Sequence, residues 1–444
     1  MTFKLYSHQV ETVAHIKKNP KCCIFDTCGT GKSAAAIEGT RTNPKKKLIF
    51  APKSILQPAW GGDFDKFFPT LKYSIATAKN RAKAFAEDAE YYITNIDAAK
   101  WVVENVDLTE FDTIILDEST SVKNPQAKRS KAIYKISKSL TYRIIMTGTP
   151  SPSSILDLWH QLYCVDDGER LGASYYAFRA ATCEPERVGM NVHAVKWHPK
   201  PGSTEVVADL IEDIVIRHEL EDVLDMPERI ERVLEFEMEP SHRRAYETLK
   251  KNSLIEIMNT PIVSAVHAAS LQNKLLQMTS GTLYKDDHKS LRFSSARYDL
   301  INELVEENDH PTIIACNWNH QIEELVKNAD KRGIKHATIN GKTSVEDRNL
   351  AVLAVQAGTI QALYANTAAL SHGVTLTGAT RCIFASPTFN GEQFIQFKHR
   401  IFRAGQTKRT ETILIQAKDT LEERVYRILQ GKLDRQTSLT ELLQ

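Results

Sequence analysis

Residues 26–33 read Asp-Thr-Cys-Gly-Thr-Gly-Lys-Ser, between the apolar run Cys22-Cys23-Ile24-Phe25 and an alanine-rich stretch, 33–38, that reads as the start of a helix. A strand, a glycine-bearing loop and a helix in that order leave few folds open. Backbone N–H groups and the helix N-terminus converge on one anionic site, which makes a phosphate-binding loop within an α/β sheet. In that frame Lys32 reaches the β and γ phosphates of a nucleoside triphosphate, and the Ser33 hydroxyl ligates Mg²⁺. Gly29 and Gly31 allow the backbone a close approach. The alternative is a glycine turn with a chance lysine, and the strand before and helix after it argue against that.

The chain repeats this context. Up to residue 150, strand-like apolar runs at 21–25, 47–51, 91–94, 113–116 and 143–146 alternate with helical stretches. Strands spaced by helices make a parallel sheet with ligands at its carboxyl edge. From 156 to about 284 the pattern turns helical and polar, with a loop expected at 184–203 that is rich in Pro, Gly and His. The alternation then resumes at 312–316, 336–339, 362–365, 380–385 and 412–415. The expected architecture is α/β: two lobes with helical insertions and a cleft between them. The division expected is 1–226, with an insertion at about 157–205, and 227–444, with an insertion at about 240–285 and a second sheet at about 290–430.

At 444 residues the chain is too long for one ordinary core. Its 57 basic and 55 acidic residues leave a net charge of +2, so any polyanion must be met by a local track of charge. The seven cysteines form no C-x-x-C pair, which argues against zinc and against a disulfide framework and fits a reducing cytoplasm. No apolar run approaches the ~20 residues of a membrane span, and the first ten residues do not read as a signal peptide.

Three further stretches carry chemistry. Leu116-Asp117-Glu118 ends a strand, so Asp117 is placed to hold Mg²⁺ and Glu118 to orient and deprotonate the attacking water. Thr147-Gly148-Thr149-Pro150 follows the next strand, where hydroxyls could sense a γ phosphate; alone it would be an ordinary turn. Far downstream, Gln396, Arg400 and Arg403 are spaced i, i+4 and i+7, which predicts one face of one helix and two arginines suited to a phosphoryl group.

Together these stretches resemble the superfamily 2 helicase motor, and within it the Swi/Snf-type DNA translocases in a compact viral or bacterial form. The resemblance covers nearly the whole chain. LYSHQV at 5–10 is similar to the family's adenine-reading segment and implies Gln9 at the adenine. DTCGTGKS resembles D-E-M-G-L-G-K-T and implies Thr27, Gly29, Thr30, Gly31, Lys32 and Ser33 around the nucleotide, with ATP and Mg²⁺ as cofactors. LIFAPKSILQPAW at 48–60 looks like motif Ia, YITN at 92–95 like a second strand-tip DNA contact, LDEST like motif II and MTGTP like motif III. IVIRHELEDVLDM at 214–226 resembles the segment where the family leaves its first lobe. INGKTS at 339–344 is similar to I-D-G-x-T-S, and ALSHGVTL at 369–376 stands for motif V, which implies Gly373 at the nucleotide. QFKHRIFRAGQ at 396–406 is close to Q-x-x-x-R-x-x-R-x-G-Q, the most specific match.

The chain departs from the pattern in Ser119-Thr120 where motif II carries Ala-His, in Ser371-His372-Gly373 where motif V carries Gly-Glu-Gly, and in Trp318 within motif IV. The resemblance implies two RecA-like parallel-sheet lobes with an inter-lobe ATP cleft, and a catalytic set of Lys32, Asp117, Glu118, Gln396, Arg400 and Arg403. It also implies sequence-independent contact with duplex, forked or branched DNA through Lys53, Thr94, Thr343 and Ser344. Trp60 and Trp159 are expected in the core. The function expected is a monomeric, ATP-driven motor on DNA that remodels forks or junctions by branch migration, working in the cytoplasm, or in the host's if the source is viral. Open beside it are a duplex translocase that strips bound proteins, an RNA-stimulated ATPase and a DNA clamp with a vestigial ATPase.

Overall fold

The structure is a computed structural model and describes residues 4–152, 154–187, 195–259, 265–284, 290–370 and 374–441. The chain divides into two compact units, residues 1–225 with 432–444, and residues 226–431.

The first unit is built on seven strands: β1 (Lys21–Ile24), β2 (Lys46–Ala51), β3 (Tyr73–Ala76), β4 (Tyr91–Asn95), β5 (Phe111–Asp117), β6 (Tyr142–Met146) and, after a hairpin, β9 (Val215–Ile216). All pair parallel, in the order β3-β4-β2-β5-β6-β1-β9. The central strands are apolar runs buried on both faces, as a sheet covered by helices on each side requires. Two strands lay outside the expected set. β3 is only four residues long with a serine in it, and β9 is a two-residue bridge; neither is long enough to show a pattern.

The loop expected at 184–203 is instead an antiparallel hairpin, β7 (Cys183–Arg187) with β8 (Val195–Pro199). Pro185 in the middle of β7 and Pro199 at the end of β8 disguise it, since proline is tolerated only in strands such as these that leave N–H positions unpaired. Cys183 is buried, and the Arg179 guanidinium lies 4.0 Å from the Trp197 ring centroid, which anchors the hairpin to the helix Tyr175–Thr182 before it.

The second unit opens with β10 (Arg229–Phe236) and, after the helices Pro240–Asn259 and Ala265–Thr279, carries a short hairpin of β11 (Thr282–Tyr284) and β12 (Ser290–Arg292). Its main sheet adds β13 (Thr312–Cys316), β14 (His336–Ile339), β15 (Ala362–Asn366), β16 (Arg381–Phe384) and β17 (Thr410–Ala417), in the all-parallel order β10-β17-β16-β13-β15-β14. β10 escaped expectation because it is an edge strand carrying four charges, the usual protection of an open edge. Inside this unit the buried Arg297 forms a two-pronged pair with Glu422, at 2.8 and 2.7 Å, and also donates to the Ala385 carbonyl at 2.8 Å. Thr279 and the Ala417 N–H complete the carboxylate's partners. A buried pair so fully satisfied ties four elements together, and losing one partner leaves an uncompensated charge. Both parts of the α/β expectation, two parallel-sheet lobes with helices, are met.

Candidate nucleotide site

Strand order brings the first unit's chemistry together. β5, β6 and β1 are neighbours, and Asp117, Met146 and Ile24 share one row across them. The loops that leave this row therefore begin side by side at the carboxyl edge. Thr147 N–H donates to the Ile24 carbonyl at 3.1 Å, and a Cβ on Gly148 would meet Cys28 Sγ at 3.0 Å.

Within the phosphate loop, Gly29 and Gly31 have φ of +95° and +83°, a region that side chains disfavour. A Cβ on Gly31 would stand 2.3 Å from Gln9 Nε2. Gln9, on the helix Ser7–Lys18, donates to the carbonyls of Thr30 and Gly31 at 3.3 and 3.2 Å and accepts from Tyr6 N–H at 3.0 Å. His8 reaches the same Thr30 carbonyl at 2.8 Å. Thr30 donates to the Thr27 carbonyl, and Thr27 accepts the Leu220 N–H at 2.8 Å, so both hydroxyls shape the loop itself. Lys32 Nζ donates to the carbonyls of Asp26 and Thr27 at 2.8 and 2.9 Å. Ser33 is half-buried in the first turn of the helix Lys32–Thr40.

The segment after β9 buttresses this loop. Phe25 N–H donates to Ile216, Thr27 N–H to His218, and Arg217 to the Phe25 carbonyl at 2.7 Å. Asp26 Oδ1 accepts from both the backbone N–H and Nδ1 of His218, at 2.8 and 3.0 Å. Burial lowers the His218 pKa, but the carboxylates of Asp26 and Glu11 raise it by more, and the net direction is upward.

Asp117 is buried at the tip of β5. Its Oδ2 accepts from Trp60 Nε1 at 2.9 Å and its Oδ1 from Glu118 N–H at 3.0 Å. Burial raises its pKa, opposed by the Lys32 charge and by those two donors. Trp60 is in the core as expected, and it also holds the acidic motif; sequence reasoning missed that second role. Glu118 adopts φ +52°, a left-handed conformation that costs a non-glycine residue about 1–2 kcal/mol and turns its side chain off the strand. Thr147 Oγ1 reaches Glu118 Oε2 at 3.4 Å and accepts the Thr149 N–H at 3.1 Å.

Ser119, where the resemblance leads one to expect alanine, donates to Gln161 Oε1 at 2.6 Å, and Gln161 Nε2 donates to the Pro150 carbonyl at 2.8 Å. This buried bridge clamps the loop after β5 to the loop after β6.

The oxygens of Asp117 and Ser33 are hard donors, and Mg²⁺ takes one or two protein oxygens with phosphates and water supplying the rest. Among the described residues no group of three or more His, Cys, Asp or Glu could hold a metal, and this arrangement does not need one. The chemistry of the donor set fits Mg²⁺.

In the second unit the helix Gly391–Lys398 ends before the two arginines, so the expectation of one helical face for Gln396, Arg400 and Arg403 is corrected. The cause is Arg400 itself. Its Nε donates to the Gln396 carbonyl at 2.8 Å, the partner its own N–H would have taken in a continued helix, and that N–H turns to Phe397 O instead. The two side chains still converge, each donating to the Val374 carbonyl at 3.1 Å. Gln396 is buried with its amide on Glu392 at 3.2 Å. Gln406 is buried too; it donates to the carbonyls of Thr377, Ala379 and Ile401 and accepts two N–H groups, so it shapes this turn. Gly373 lies outside the described residues.

Of the expected DNA contacts, Lys53 is exposed in the turn after β2. Thr94 is corrected: β4 runs one residue further than expected, so Thr94 lies within the strand and not at its tip; it is fully buried, and its hydroxyl donates to the Ala76 carbonyl of β3 at 2.9 Å. Thr343 closes the turn after β14 by accepting the Asn340 N–H, and Ser344 caps the helix Val345–Ala357 through Asp347.

Residues 8–285 match the family described as SNF2-related domain, and residues 296–405 match the helicase conserved C-terminal domain. Protein p41 of Acyrthosiphon pisum secondary endosymbiont phage 1 is 29% identical, with 95% of each chain covered. An uncharacterized ATP-dependent helicase of Mycoplasma pneumoniae is 24% identical over 91% of this chain but only 39% of its own length. Among solved structures, the Sulfolobus solfataricus SWI2/SNF2 ATPase core in complex with dsDNA covers 97% of this chain and 92% of its own, at 20% identity and a TM-score of 0.44.

Proposed function

This chain belongs to the SNF2-related family, and from that premise we propose that it is an ATP-driven motor that moves along duplex DNA and remodels forks or junctions. The observation that carries the reading is the row Ile24, Met146 and Asp117, from which the phosphate loop, the Thr147 hydroxyl and the Asp117-Glu118 pair leave side by side. Lys32 and the loop amides bind the phosphates, and Gln9, which holds that loop by the Thr30 and Gly31 carbonyls, faces the adenine. Ser33 and Asp117 would hold Mg²⁺, which would supply neutralisation of phosphate charge when bound. Glu118 takes the proton of the attacking water, with its carboxylate oriented by Thr147. Arg400 and Arg403 stabilise charge on the transferring phosphoryl group, a contribution made in the transition state rather than in binding. Lys53 and the turn at Thr343 and Ser344 contact the DNA backbone without reading sequence. The motor acts as a monomer and works where the DNA is, in a bacterial cytoplasm or that of an infected host.

The test is displacement of a third strand from a triplex on linear duplex, with regression of a model fork beside it. ATP-dependent displacement that Glu118→Gln abolishes supports translocation, and fork regression supports the remodelling role. ATP turnover with neither activity overturns the motor reading.

A further inference from the structure

The helix Lys128–Lys138 connects the loop after β5 to β6 and reads KRSKAIYKISK: five cations and no acid in eleven residues, in a chain whose net charge is only +2. At 100° per residue Lys128, Lys131, Lys135 and Lys138 fall on one stripe, and all four are exposed. Ser130, Ile133, Ile136 and Ser137 form the opposite, buried face. The head of the stripe works against its own helix, while Lys135 and Lys138 suit its C-terminal turn. Neighbouring lysines at i+3 and i+4 repel one another, and Lys128 and Arg129 sit at the N-terminal end, where the helix dipole disfavours positive charge. Packing does not require this arrangement, since the core contact is made by the other face, and local rules broken without a structural return mark sites of function.

A second observation points the same way. At the N-terminal end of this stripe lies a cavity of about 390 Å³ lined by Asp97, Lys100, Ala127, Lys128 and Arg129. It opens beside the tip of β4, where Asp97 follows Asn95. Arg129 is fixed there, with Nε on the Ser121 carbonyl at 2.9 Å and Nη1 3.5 Å from Asp97.

We propose that this lysine stripe, with the cavity at its head, is a phosphate-backbone binding site for duplex DNA on the first unit. The proposal rests on the reading of the chain as a DNA motor and adds to it a surface that none of the expected contacts includes. The ten residue steps from Lys128 to Lys138 rise about 15 Å, and over that length of duplex axis one strand places about four phosphates, one per ~3.4 Å of axial rise. Four lysines on one line therefore present positive charge at a density of the same order as the phosphates they would face. Thr94, the contact expected nearby, is buried, and a basic stripe starting beside the same strand tip supplies what it cannot.

The test compares full-length wild type with the triple variant Lys128→Ala, Lys131→Ala, Lys135→Ala for binding to a blunt duplex between about 50 and 200 mM salt. These are exposed helix positions, so the variant should melt no lower than wild type. ATP turnover without DNA should be unchanged. The slope of log affinity against log salt should become shallower by about 2–3, and the matching triple lysine-to-arginine variant should restore it. An unchanged slope overturns this site while leaving the DNA motor standing. A wild type with no affinity for duplex overturns both.

Discussion

The two units hold their chemistry in different ways. In the first, two carboxylates and a hydroxyl are gripped by distant side chains, since Trp60 holds Asp117, Gln161 holds Ser119 and His218 holds Asp26, while Gln9 and Lys32 hold the phosphate loop by its carbonyls. In the second, side chains grip backbone: Arg400 and Arg403 share the Val374 carbonyl, and Gln406 spends its amide on five main-chain groups. The first arrangement preorganises acid and phosphate chemistry before anything binds, and it depends on the identity of distant residues. The second fixes a turn and gathers both arginine side chains on one carbonyl.

The candidate catalytic groups of both units should show in kinetics, and the side-chain grips of the first unit in stability. Arg403→Ala is expected to have the largest effect, a fall in ATP turnover of about 10³-fold or more with ATP affinity nearly kept, because a finger arginine acts in the transition state. Equal losses in binding and turnover would remove the distinction between the units. Glu118→Gln should cut turnover by about 10²–10⁴-fold and still bind ATP, as an isotope-trapping or equilibrium-binding assay can establish. Normal turnover would mean that another group takes the proton. Smaller in reach, Trp60→Phe removes a donor to a buried carboxylate at a cost of about 1.5–3 kcal/mol, read as a melting temperature lower by roughly 5 °C. If melting is unchanged, the grip of Trp60 on Asp117 contributes nothing to stability.

The smallest effect is pH-dependent. The pKa of His218 in the folded chain is raised, so its tie to Asp26 contributes fully below the ordinary histidine value of about 6.5 and fades as pH rises through the raised value. The melting difference between wild type and His218→Gln should therefore be widest near pH 6 and narrow in alkaline buffer. A gap that widens upward would contradict the assignment.

Much of this was legible from local pattern. β13 and β14 have the bounds their apolar runs imply, and the phosphate loop and Asp117-Glu118 stand where strand, loop and helix put them. What stayed hidden depends on distance along the chain. Trp60 lies 57 residues from Asp117, Gln161 42 from Ser119 and His218 192 from Asp26, and no periodicity encodes such pairs. Thr94 was expected at the strand tip, but β4 runs one residue further and its residues up to Thr94 are buried on both faces of the sheet. The spacing of Gln396, Arg400 and Arg403 is truly helical, and only the capping of the Gln396 carbonyl by Arg400 ends the helix first.

The most direct test of the whole account is steady-state ATP hydrolysis without nucleic acid and with single strands, blunt duplex, four-way DNA or RNA, with Glu118→Gln as the blank. The account predicts that duplex stimulates turnover well above single strands, with branched DNA at least as effective. Stimulation by RNA alone, or by no nucleic acid at all, would contradict it.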